Sequence, residues 1–102
     1  MNIAALRSKA DLAANFLKVL ANSRRLMIVC ELLEGERSVG QIEKVVRLSQ
    51  SALSQHLAKL RRARLVKTRR ESQTIHYSLA DPGVVKVVGA LYDLYCGTSR
   101  RR

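Results

Sequence analysis

Leu53, Leu57 and Leu60 recur at i, i+4 and i+7, so a helix from Ser49 to about Ala63 must turn that stripe toward a core. Its other face is polar. Gln50, Ser51, Ser54, Gln55, His56 and Lys59 lie around it, and Arg61, Arg62 and Arg64 follow at the C-terminal end. Upstream, Ser38 can cap a short helix carrying Val39, Ile42 and Val46, and Leu48 leads straight to a second capping position at Ser49. Two short helices joined by a tight turn, the second showing small and amide side chains to solvent, describe a helix-turn-helix.

The flanking segments complete a domain. From Ser8 to Leu20, Leu12, Ala13, Phe16, Leu17 and Leu20 mark one face of an amphipathic helix. Asn22 and Ser23 can cap a second helix whose stripe of Leu26, Val29, Cys30 and Leu33 turns Cys30 inward before Gly35 ends it. Leu65 to Arg69, a polar turn over Arg70 to Thr74, and Ile75 to Leu79 read as a hairpin with a charged tip, the wing of a winged helix. Asp81 and Pro82 start a last helix with an apolar face of Val84, Val85, Val88, Leu91, Tyr92 and Tyr95. The expected fold class is mainly α with a small β-hairpin: four helices, a two-stranded wing and a fifth helix. A chain of 102 residues suits one such domain, with a polar tail from Gly97 to Arg102 left unstructured.

Nineteen Lys and Arg against eight Asp and Glu give a formal charge of +11, which favours a polyanionic partner. Double-stranded DNA is favoured over RNA, because one Phe, three Tyr and no Trp leave little aromatic surface for stacking on splayed bases. Neither a membrane span nor a secretory leader is visible, so the expected location is the cytoplasm, where Cys30 and Cys96 would be reduced thiols. A nucleophile elbow, a phosphate loop and a CxxC motif are all missing from the sequence, which argues against an enzyme, and no cofactor is called for.

Base edges specify and phosphates hold, and this chain divides those tasks. Gln50, Ser51, Ser54 and Gln55 are suited to base edges, with Lys59 on the same polar face. Arg69 and Arg70 on the hairpin suit phosphate or the minor groove, and Arg100 to Arg102 read as a solvated tail. The terminal helices carry Phe16, Leu17, Leu91, Tyr92 and Tyr95, more apolar surface than so small a core can cover, so a homodimer and a palindromic operator are expected.

The stretch LSQSALSQHLAKLRRARLVKTRRESQTIHYSL, residues 48 to 79, resembles the helix-turn-helix and wing of the ArsR/SmtB family of bacterial repressors, and LKVLANSRRLMIVCELL resembles that family's second helix. The resemblance covers about residues 10 to 96. It implies a homodimer of winged helices joined through the first and last helices, and a position for His56 facing the DNA backbone or bases. The family's metal-binding sets are missing: SVGQIEKVV holds no Cys or His, and Asp93 in the last helix has no His partner. Cys30 and Cys96 are instead spaced as in the dithiol, BigR/SqrR/HlyU-like branch, which implies bridging of the two thiols by reactive sulfur species or another oxidant. The alternative is a repressor that answers a metal or another ligand, with both cysteines structural.

Overall fold

The computed structural model describes residues 1–97. Their order is α1 (Ile3–Leu20), α2 (Ser23–Leu32), β1 (Arg37–Ser38), α3 (Val39–Val46), α4 (Gln50–Arg62), β2 (Val66–Glu71), β3 (Thr74–Leu79) and α5 (Pro82–Cys96). The architecture is the expected one, mainly helical with a small antiparallel hairpin.

Helix boundaries follow from local capping chemistry. Asn22 Oδ1 accepts from the backbone N–H of Arg24 at 2.9 Å and of Arg25 at 3.1 Å, starting α2. Ser38 and Gln41 form a reciprocal capping box on α3, at 3.2 and 2.8 Å. Ser49 Oγ accepts from Ala52 N–H at 3.1 Å on α4, and Asp81 accepts from Gly83 N–H at 2.8 Å just past Pro82 on α5. Between α3 and α4 the backbone turns through Arg47, held at φ +54° in the left-handed region, a conformation few side-chain-bearing residues adopt.

Three boundaries differ from the sequence expectation. α1 begins at Ile3 rather than Ser8, because Asn2 caps it by accepting from Ala5 N–H at 3.2 Å. α2 ends at Leu32, and Gly35 instead bends the following loop with φ +132°. The sheet has three strands, not two: β1 pairs antiparallel with β3 through Arg37 opposite Tyr77 and Ser38 opposite His76, giving the order β1-β3-β2. The hairpin itself runs from Val66 opposite Leu79 to Glu71 opposite Thr74, so only Ser72 and Gln73 form its tip, with Ser72 at φ +57°.

The core lies where α2, α3, α4 and α5 meet. Ile28, Val29, Leu32, Ile42, Val46, Leu53, Leu57, Leu60, Leu65, Val66, Val84 and Val88 are buried there, with the α4 leucine stripe at its centre. The apolar faces of the terminal helices are largely uncovered. Of the stripe read on α1 only Leu20 is buried, and on α5 Val85, Tyr92 and Tyr95 stand exposed while Val84 and Val88 point inward. Among the described residues no helix is long and apolar enough to cross a membrane. Arg100 to Arg102 fall outside the described residues.

Candidate nucleic-acid interface

The buried leucines fix which way α4 faces. At about 100° per residue, Gln50, Ser54, Ser51, Gln55 and Lys59 fan over about 180° of the opposite surface, and all five are exposed. Beside them an open groove of about 990 Å³ runs between the first turn of α3, α4 and the hairpin, lined by Gln50, Ser54, Arg61, Arg62, Gln73 and Thr74 among others. Arg61 and Arg62 belong to this surface, although in sequence they stand as a basic cluster at a helix end. The signal was available: Arg61 lies seven residues, two turns, after Ser54 and shares its face.

His56 is turned away from that groove. It sits partly buried on the flank of α4, and its Nδ1 is 3.3 Å from Nη1 of Arg25 on α2. Guanidinium only donates, so this contact requires a neutral imidazole with its proton on Nε2. Desolvation, then the charges of Arg25, Lys59 and Arg24, push the His56 pKa down and keep the ring neutral.

On the hairpin the two arginines differ. Arg69 is gripped by Glu36 at 2.7 and 3.0 Å and approached by Glu71 at 3.3 Å. The Arg69 hydrogen bond holds the Glu36 carboxyl below its usual range, and Glu36 in turn raises the arginine. Arg70 is exposed and makes no ion pair among the described residues. The hairpin thus presents Arg70 as an open cation, while Arg69 ties the wing to the loop before β1.

A short capped helix, a left-handed turn, an amide- and hydroxyl-bearing helix and a cationic hairpin on one surface are the parts of a winged helix-turn-helix. Residues 22–68 match the family model described as "Bacterial regulatory protein, arsR family". The transcriptional activator HlyU of Vibrio cholerae is 48% identical over 96 residues, covering 94% of this chain and 89% of HlyU. The chain belongs to the ArsR family.

Its structure agrees. Reduced HlyU from Vibrio cholerae superposes with a TM-score of 0.86 at 48% identity over 90% of this chain and 97% of that one. The transcriptional repressor BigR from Xylella fastidiosa gives 0.90 at 40% identity over 96% and 100%. The homodimeric winged helix-turn-helix DNA-binding domain of a possible ArsR-family regulator from Mycobacterium bovis gives 0.74 at 32% over 83% and 79%. This ArsR-family chain is accordingly a transcriptional regulator rather than an enzyme.

Two further features of the ArsR-family chain lie away from α4. Cys30 on α2 is half-buried and Cys96 at the end of α5 is exposed, and both are free thiols. Burial pushes the Cys30 thiol up, the charge of Cys96 adds to that rise, and α5 packs on α2. On the terminal helices Leu6, Leu12, Leu17, Val85, Tyr92, Leu94 and Tyr95 stand exposed.

Proposed function

We propose that this regulator is a cytoplasmic, homodimeric repressor that grips a palindromic duplex operator while Cys30 and Cys96 are reduced, and releases it when the two are bridged. The observation that supports the switch is a half-buried thiol on α2 and an exposed thiol at the end of α5, on two helices that pack against each other. The homodimer rests on the uncovered faces of α1 and α5, which a second copy would bury, and on the homodimeric Mycobacterium bovis relative. The DNA-binding set is Gln50, Ser51, Ser54 and Gln55 on base edges, with Lys59, Arg61, Arg62 and Arg70 on phosphate. Arg69 is already paired with Glu36, so its larger effect is on the placement of the wing. His56 supports α4 through Arg25 rather than by entering the groove.

The chemistry divides by exposure. The Cys96 thiolate attacks the outer sulfur of a persulfide RSSH; RS⁻ leaves and Cys96 carries the persulfide. The Cys30 thiolate then attacks Cys96 Sγ, hydrosulfide leaves, and a Cys30–Cys96 disulfide remains, so two thiols are oxidised and one sulfane sulfur is reduced. A bridge demands a fixed separation of its two Cα atoms. That demand falls on α5, which also carries the exposed dimer face, and through it on the spacing of the two α4 helices.

The test uses a duplex selected by the reduced protein from a randomised pool. Persulfide should weaken binding about tenfold or more, roughly 1.4 kcal/mol of coupling, and intact mass should show loss of two hydrogens on bridging. Cys30→Ser and Cys96→Ser should bind the duplex and ignore the persulfide. Release that persisted in Cys96→Ser would end the two-thiol mechanism.

A further inference from the structure

On the side of α4 away from the wing lies a second cleft, of about 440 Å³, between the end of α1, the start of α2 and the end of α4. Its lining is Lys18, Val19, Arg25, Lys59, Arg62 and Ala63: four cations and no carboxylate. None of the four forms an ion pair among the described residues. Arg25 is the unusual member, because only 9% of it is exposed. Its guanidinium donates from Nε to Val19 O at 2.6 Å and meets His56 Nδ1 at 3.3 Å, both neutral partners. A buried charge is costly unless an opposite charge answers it.

The helices do not supply that answer. The C-termini of α1 and α4 contribute about half a negative charge each, and the N-terminus of α2 about half a positive one, leaving more than about three net positive charges around the cleft. Arg24 and Arg25 even occupy the first turn of α2, the end of a helix where cations are disfavoured. Arg25 does bond a carbonyl at the C-terminal end of α1, but an anion in the cleft would answer the remaining positive charge.

We propose that this cleft binds a phosphodiester of the duplex, on the strand opposite the one met by the wing. The inference rests on the reading of α4 as the major-groove helix. A helix about 10–12 Å across fills a major groove about 12 Å wide, so a phosphate strand must rise on each side of it. The wing and its groove occupy one side, the cationic cleft occupies the other, and Arg62 at the end of α4 lines both. Lys18, on a helix outside the helix-turn-helix, thereby becomes a backbone-binding residue, and Arg25 holds the same phosphate while anchoring His56. Two strands gripped from opposite flanks fix the roll of α4 in the groove, which one flank alone leaves open.

Lys18→Gln tests this without disturbing the core or α4, since Lys18 is exposed and lines only this cleft. On both the selected duplex and a scrambled duplex of equal length, the slope of log Kobs against log salt should become shallower by about 0.9 for each half-site, about 1.8 for the dimer. The ratio of the two affinities should not change, and Lys18→Arg should restore the slope. Lys9→Gln, about half a turn away around α1, should leave it alone. Methylphosphonate substitution should then weaken the wild type at one phosphate per half-site to which Lys18→Gln, left with Arg25 alone on that phosphate, is clearly less sensitive. An unchanged slope, or sensitivity to every phosphate equal to that of the wild type, overturns the proposal. So does inorganic phosphate that raises the melting temperature of the wild type but not of Lys18→Gln while the DNA slopes coincide, which assigns the cleft to a free anion. A wild type that selects no duplex overturns the operator-binding reading itself and the cleft with it.

Discussion

The middle of the chain and its two ends use the same hydrophobic period to opposite effect. α4 buries three leucines in thirteen residues and α2 buries Arg25, Ile28, Val29 and Leu32 in ten. α1 buries only Leu20 in eighteen, and α5 only Val84 and Val88 in fifteen. A period of 3.6 identifies a face that wants cover but does not say whether the cover lies in the same chain. In the middle it does. At the ends the apolar face is complete and the protomer has nothing left to put on it.

The sharpest way to break that contrast is to truncate one leucine from each region. Leu53→Ala removes a fully buried side chain and should cost about 2–5 kcal/mol in urea denaturation. Leu12→Ala, on the uncovered face, should cost less than about 0.5 kcal/mol at concentrations where the protomer is single. Equal costs would show that α1 packs within its own protomer. A smaller effect is expected from Leu17→Glu, which puts a carboxylate on the same face and should raise the dimer dissociation constant about tenfold or more, about 1.4 kcal/mol. Sedimentation over a dilution series reads it, and an unmoved constant would place the dimer contact elsewhere.

Caps extend the comparison to backbone chemistry. Ser38→Ala should lower stability by about 1 kcal/mol, because the capping box lies in the packed half. Asn2→Ala, at the chain end of α1, should cost no more than a few tenths in the same experiment, since terminal turns fray. The smallest effect concerns pH. The folded His56 pKa lies below its unfolded value of about 6.5, so the stability tied to the neutral ring is complete above about pH 6.5 and is lost as pH falls through the folded value. The melting temperature should therefore fall between pH 7 and pH 5 by less in His56→Gln than in the wild type, and identical falls would show that the ring gains nothing from Arg25.

Features that depend on neighbours in sequence were legible, and those that depend on distant pairing were not. The caps at Asn22, Ser38, Ser49 and Asp81 were readable because a side-chain oxygen two or three residues from its N–H needs no other part of the fold. The polar fan from Gln50 to Lys59 was readable from period alone. β1 was invisible because two residues carry no alternation and its partners, Tyr77 and His76, lie about forty positions away. The Glu36 grip on Arg69 spans 33 residues and the Arg25 contact to His56 spans 31, so two residues counted as DNA contacts carry structural partners that no local pattern announces. The cationic cleft gathers single residues from three helices, each of which reads alone as ordinary solvated charge.

β1 has a consequence for how the molecule breathes. Ser38 is at once a rung of the sheet, opposite His76, and the cap of α3. Opening that two-residue seam would part β1 from the hairpin and fray the first turn of α3 in one event, while the hairpin's own ladder and its buried Val66 stayed in place. In hydrogen exchange the Gln41 amide, which bonds to Ser38 Oγ, should then exchange together with the β1 amides and well ahead of the ladder between β2 and β3. The Glu36 grip on Arg69 braces the same seam, so the time it spends closed bears on how long wing and α3 hold one shared geometry.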